Sequence, residues 1–169
     1  MSYDIRMDGL IRGLVLRFLQ GETHMSFEEA VADFPMEQIN TYPPNVPYTP
    51  WQLLEHIRIT QADILNFIIK PNYNELYKDL EWPKDYWPPQ DKIVDEKMWR
   101  ETIKSYLNDL KKLEEITQNP NTDFTQIIKW GGGQTILEEL LKVADHTSYH
   151  LGEFCIFRQV MSAWLKGHE

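Results

Sequence analysis

Three times this sequence sets a serine or threonine three residues ahead of a glutamate or glutamine, each time in front of an apolar run: Ser26 with Glu29, Thr49 with Gln52, and Thr135 with Glu138. In that arrangement the first side chain accepts a backbone N–H of the new helix, and the second reaches back to the first residue's own N–H. Helix starts are therefore marked. Pro50, directly after Thr49, suits the first helical position, where a missing N–H costs nothing. The helix it opens is predicted to reach about Lys70, before Pro71, with Leu53, Leu54, Ile57, Ile64, Leu65 and Ile68 as a wide apolar face. The helix after Thr135 is predicted to reach about Leu165, and the one after Ser26 to end before Pro35.

Two more helices follow from periodicity. Met7, Leu10, Ile11, Leu14 and Phe18 recur at helical spacing between Tyr3 and about Gln20, with Arg6, Asp8, Arg12 and Arg17 on other faces and Gly21 as a stop. Gly9 and Gly13 would let a neighbouring helix approach closely. Asp95 is placed to cap a helix carrying Trp99, Ile103, Tyr106, Leu107, Leu110 and Leu113, which stops near Asn119 and Pro120. Between these segments lie an extended proline-rich connector (40–50), an aromatic loop of about two dozen residues (71–94), and a stretch from Phe124 to Trp130 readable as a short strand or turn. The long loop reads as a lid or as peripheral packing, and its Tyr73, Tyr77, Trp82, Tyr86 and Trp87 as packing groups rather than a substrate cage. Gly131-Gly132-Gly133 lacks the Gly-Lys-Ser/Thr ending of a phosphate loop and reads as a flexible turn. Four long helices make the expected fold all-α, a four-helix bundle with long connectors, in one domain over 1–169.

Composition narrows the function. A net charge of -9 argues against nucleic-acid partners, whose phosphates select clustered Lys and Arg. No apolar run is long enough for a membrane span, and the first residues lack a signal-peptide core. One cysteine, Cys155, excludes a disulfide framework. The expectation is a cytoplasmic protein.

Chemistry concentrates in Asp145-His146-Thr147-Ser148-Tyr149-His150. Histidines four apart on a helix sit one turn above each other, about 40° apart around the axis, so their rings can converge on one ion. Glu153 falls on the same stripe, with Glu139, Val143 and Phe157 extending it. His56, on another helix with Gln52 and Asp63 along its stripe, can supply a third imidazole. Three neutral ligands leave a coordination position for water or substrate. Glu153 and Asp145 could orient a ring or accept a proton. Thr147 stands where the H-E-x-x-H metalloprotease motif has its glutamate, so this is no zincin. Cys155 points about 180° away from His146, and His24 and His168 have no assigned role.

The run from Tyr48 to His56, the box Thr135-Ile136-Leu137-Glu138 with Glu139-Leu140-Leu141, and Ala144 to Glu153 with its His-x-x-x-His-x-Gly pattern, together with the terminal Arg158-Gln159-Val160, resemble the DinB-like (DinB/YfiT) superfamily. The resemblance implies an up-down-down-up bundle, a homodimer, and a divalent metal, often zinc or nickel, on His56, His146 and His150. It also implies a transferase using a low-molecular-weight thiol such as bacillithiol on an electrophilic substrate. A hydrolase using metal-activated water with Glu153 as base, and a non-enzymatic metal-binding stress-response protein, are the alternatives.

Overall fold

The computed structural model describes residues 2–69 and 80–164, with the side chains of residues 2–6 excepted. Tyr73, Tyr77 and His168 lie outside the described residues. The elements are α1 (Ser2–Gln20), a short α2 (Phe27–Val31), α3 (Pro50–Ile69), α4 (Glu96–Gln118) and α5 (Ile136–Val160), with single 3-10 turns at Met36–Gln38 and Lys84–Tyr86. The described residues contain no strand, only one antiparallel bridge between Ile127 and Thr135 that closes the turn before α5.

The marked starts form as written. Ser26 Oγ accepts from Glu29 N and Thr135 Oγ1 from Glu138 N, and in both boxes the glutamate returns to the cap backbone. Thr49 N donates to Gln52 Oε1 at 2.8 Å while Gln52 N donates to Thr49 Oγ1 at 3.3 Å. Asp95 caps α4 through Met98 N. The last helix ends at Val160, short of Leu165. Ser162 turns the chain with a φ of 53°, and Ala163 N donates back to the carbonyl of Arg158 at 2.8 Å.

Helix directions follow from contacts. Arg12 Nη1 reaches the carbonyls of Thr117 and Asn119, while Gln20 Nε2 meets Glu114 Oε1 at 3.0 Å, so α1 and α4 are antiparallel. Trp51 Nε1 donates to Thr102 Oγ1 at the start of both helices, and Ile68 and Leu113 share an apolar cluster near their ends, so α3 and α4 are parallel. His56 faces His150, and Phe67 lies by the turn before α5, so α3 and α5 are antiparallel. The result is an up-down-down-up four-helix bundle in which α1 and α3 each pack on α4 and α5.

Two apolar clusters fill it. One gathers Phe27, Phe34, Trp51, Leu54, Tyr106 and Phe154, the other Val15, Leu19, Leu65, Leu113 and Leu140. Between them, along α3 and α5, sit the buried polar residues His56, Gln61, Thr147 and His150. Metal and cofactor sites of bundles are built from inward-facing side chains of this kind on facing helices.

Helix α1 is rotated relative to its apolar pattern. Met7, Leu10, Leu14 and Phe18 are exposed, Leu10 at 57%, while Val15 and Leu19 are buried. Arg12 is on the inward side, its guanidinium reaching the carbonyls at the end of α4 and lying 4.5 Å from the Phe124 ring centroid. A guanidinium there satisfies helix-terminal carbonyls that have no partner within the helix. Gly9 and Gly13 face open space rather than a neighbouring helix. Gly131 is a close-approach glycine: a Cβ there would lie 2.7 Å from Phe67 Cζ and 2.6 Å from Gln134 Oε1.

Candidate metal centre

Antiparallel packing of α3 on α5 brings His56 to His146 and His150. His56 Nε2 lies 3.2 Å from His150 Nε2 and 3.1 Å from His146 Nε2, and the three form a cluster whose ligand atoms all fall within 4.8 Å of one another. Two nitrogens each about 2.0–2.1 Å from one ion at a tetrahedral angle would stand about 3.3 Å apart, so this donor set could hold a divalent ion.

The partners of the other ring nitrogens decide the tautomers. His56 Nδ1 lies 2.7 Å from the carbonyl of Tyr86, which can only accept, so Nδ1 carries the proton. His150 Nδ1 lies 2.8 Å from Glu153 Oε2, and the other oxygen of that carboxylate accepts the Tyr48 hydroxyl. When both rings are uncharged, His56 and His150 direct two unprotonated Nε2 atoms at each other. One proton on His146 could satisfy one of those lone pairs but not both. A cation between them would satisfy all three rings.

Burial holds His56 below the usual imidazole range, against the Tyr86 hydrogen bond, and burial with the neighbouring His150 and His56 brings His146 down to about 3. The unfolded chain would bind protons at both positions below about pH 6.5, whereas the native chain does not. The metal-free protein is thus expected to keep this contribution above about pH 6.5 and to lose it as pH falls toward the depressed values. Melting temperatures of chelator-treated protein from about pH 7.5 down to about pH 5 should decline, and less steeply in His146→Gln. An equal slope in the variant would mean that burial of His146 is not the source.

The described part of the aromatic connector, residues 80–94, walls one side of the cluster. Trp87 stacks on His56 with centroids 4.0 Å apart and planes within 3°, and Tyr48 packs on its other neighbours at 4.7 Å from Trp87 and 5.7 Å from Phe157. Gln52, one turn before His56, donates to the carbonyls of Pro89 and Gln90, and Asn40 exchanges hydrogen bonds with the backbone of Val94. On the other side His146, only partly buried, lines a cavity of about 400 Å³ between α3 and α5, with Thr60, Asp63, Phe67, Tyr86 and Glu139 among its walls. One side of the cluster is thus shielded and the other accessible.

The remaining candidates separate. Glu153 holds the His150 ring from behind. Asp145 is exposed. The Cys155 thiol lies 3.8 Å from Met25 Sδ, outside the histidine cluster. His24, given no role in the sequence, bridges the α1–α2 turn to α5. Its Nε2 is 2.8 Å from Ser148 Oγ and its Nδ1 2.8 Å from the Met25 carbonyl. Gly21, at a φ of 72°, makes room for that ring. Tyr48, Tyr86 and Trp87 were missed as supports of the cluster. Tyr86 acts through its backbone, which no side-chain pattern reveals, whereas Tyr48 stands eight residues before His56 and carried no signal of its own.

No helix among the described residues is long and apolar enough to cross a membrane. A family model described as the DinB superfamily matches residues 21–154, most of the chain and all three histidines. No curated protein and no solved structure matches it.

Proposed function

As the chain belongs to the DinB superfamily, we propose that it is an enzyme holding a divalent ion, zinc or nickel, on His56, His146 and His150, and that it joins a low-molecular-weight thiol of the bacillithiol type to an electrophilic small molecule. The observation that carries the metal assignment is the meeting of three ring nitrogens, His56 Nε2 lying 3.2 Å from His150 Nε2 and 3.1 Å from His146 Nε2, with the far nitrogens of His56 and His150 already engaged by the Tyr86 carbonyl and Glu153. Three imidazoles alone suit several first-row metals, so zinc and nickel are taken from the family resemblance. When bound, the ion supplies Lewis acidity that lowers the pKa of a thiol toward its nucleophilic thiolate form.

The chain's own residues hold and shield. Tyr86 and Glu153 fix the His56 and His150 rings, and Trp87 covers one face of His56. Partners of this kind raise ligand basicity and set ring orientation. Glu153 has one oxygen on His150 Nδ1 and the other on Tyr48, an arrangement suited to orienting an imidazole rather than to taking a proton from attacking water. That favours the thiol reading over a hydrolase. The nucleophile would come from the co-substrate, since Cys155 stands outside the cluster.

The test offers metal-loaded protein a haloarene with and without bacillithiol, cysteine or glutathione. The expected reaction forms a carbon–sulfur bond as halide leaves, and the thiol proton passes to water. Product should require thiol. Turnover in its absence would point to metal-activated water, and no turnover with any thiol would favour a metal-binding protein without this activity.

A further inference from the structure

The three histidines are not held alike. His56 is pinned twice: its Nδ1 donates to the carbonyl of Tyr86 at 2.7 Å, and Trp87 lies flat on its face with centroids 4.0 Å apart. His150 is buried, with Nδ1 2.8 Å from Glu153 Oε2 and the Tyr149 ring edge-on at 4.9 Å. Glu153 is held in its turn by the Tyr48 hydroxyl, which keeps its proton because burial and that carboxylate push the phenol up. Turning either imidazole would therefore strand polar groups that are now paired away from water.

His146 has no such backing. Its Nε2 lies 3.1 Å from His56 Nε2, and among the described residues no side chain or backbone group reaches its Nδ1. The rings beside it are the other two imidazoles, at 4.9 and 4.5 Å between centroids. It is partly exposed where they are buried, and of the three it is the one that lines the cavity between α3 and α5. A metal-binding histidine normally gives its second nitrogen to a partner, and that partner fixes the ring. Without one, the ring keeps its freedom to change rotamer.

The two backed rings already make a seat. Their Nε2 atoms stand 3.2 Å apart, close to the roughly 3.3 Å expected of two nitrogens on one tetrahedral ion. We propose that His56 and His150 form a fixed two-point seat and that His146 is a swinging ligand, closing on an ion once it is seated and opening to let it leave on the cavity side. On the opposite side Trp87 and Tyr48 pack against each other at 4.7 Å and cover the seat. The ligands thus differ in what their loss costs. Without His146 the seat is intact and exchange is ungated. Without His56 or His150 half the seat is gone, and the remaining pair includes a ring that binding must first order. This inference rests on the reading of the histidines as a metal centre, and adds to it the order and the route of metal exchange.

The test uses the full chain and zinc. Competition with a chromophoric chelator gives affinities, and rapid mixing with excess chelator gives release rates. His146→Ala is expected to bind zinc more weakly than wild type, yet at least about tenfold more tightly than His56→Ala or His150→Ala, since an outer partner of a ligand is worth about 10–100-fold in affinity. Its release of zinc should be at least about tenfold faster than that of wild type. In chelator-treated protein, nitrogen-15 spectra of the imidazoles should show a protected Nδ1–H at His56 and His150 and rapid exchange with water at His146. Equal affinities in the three alanine variants, or a ring N–H at His146 as protected as that at His56, would overturn the swinging ligand. No zinc bound by wild type would instead sink the metal centre itself, so the two failures are distinct.

Discussion

Alanine in place of His56 or His150 is expected to cost the protein its metal, from near one ion per chain to below about a tenth at the same metal concentration. The reason lies in the directions of the rings rather than in the count of ligands. Each of these two imidazoles is locked from behind, His56 by the Tyr86 carbonyl and His150 by Glu153, so neither Nε2 has to be reoriented for binding. Removing one leaves two donors, and on a three-ligand site that opens a second position to water. The companion measurement is thermal. A ligand that binds only the native state stabilises it by about 2.7 kcal/mol at a hundredfold excess over its dissociation constant. Wild-type protein should therefore melt higher with zinc or nickel than after chelation, and both variants should melt alike in the two conditions. His24→Ala is the control, because His24 touches Ser148 and Met25 and not the cluster. Unchanged metal content in both His56→Ala and His150→Ala would refute the centre.

The second large effect is one of stability and concerns Arg158. Its side chain is almost wholly buried, with Nη1 2.8 Å from the carbonyl of Ala30 and 2.6 Å from that of Ala32, and Nη2 2.9 Å from that of Ala163. It thereby ties the end of α5 both to α2 and to the turn that follows. Its guanidinium also stands 4.1 Å from the Trp164 ring centroid. Methionine has similar reach and no donor, so Arg158→Met strands buried carbonyls at about 1–3 kcal/mol for each one left unpaired. Relief from desolvating the charge returns part of this, as replacement of buried ionic groups often does. A net loss of about 3 kcal/mol would lower the melting temperature by roughly 10 °C in a protein of this size. A variant melting within about 2 °C of wild type would mean that water or backbone adjustment satisfies those carbonyls.

Much of the fold was legible because helix starts are local chemistry. Each box at Ser26, Thr49 and Thr135 involves side chains and N–H groups within four residues of one another, so sequence spacing carries the geometry. The gathering of the histidines was legible for a related reason: His146 and His150 share a face by helical period, and an antiparallel α3 brings His56 to them. What escaped depends on backbone acceptors far along the chain. Arg12 turns toward the carbonyls of Thr117, Asn119 and Thr122, while Met7, Leu10, Leu14 and Phe18 lie in solvent although they mark the more apolar face. Carbonyl oxygens belong to every residue, so no residue type announces such a partner. The early end of α5 escaped for the same reason, since it follows from the hold of Arg158 on Ala163.

Tyr86 has three contacts from one residue: its carbonyl anchors His56, its hydroxyl donates to Asp63, and its ring lines the cavity. The backbone at Tyr86 is thus a poor place from which to reshape the cavity, because a change there also disturbs an imidazole anchor. Phe67 and Glu139 stand on helices and bear on the cavity without orienting a histidine. Change in the shape of the cavity, natural or by design, has its least constrained path through those helix positions, with Tyr86 left as it is.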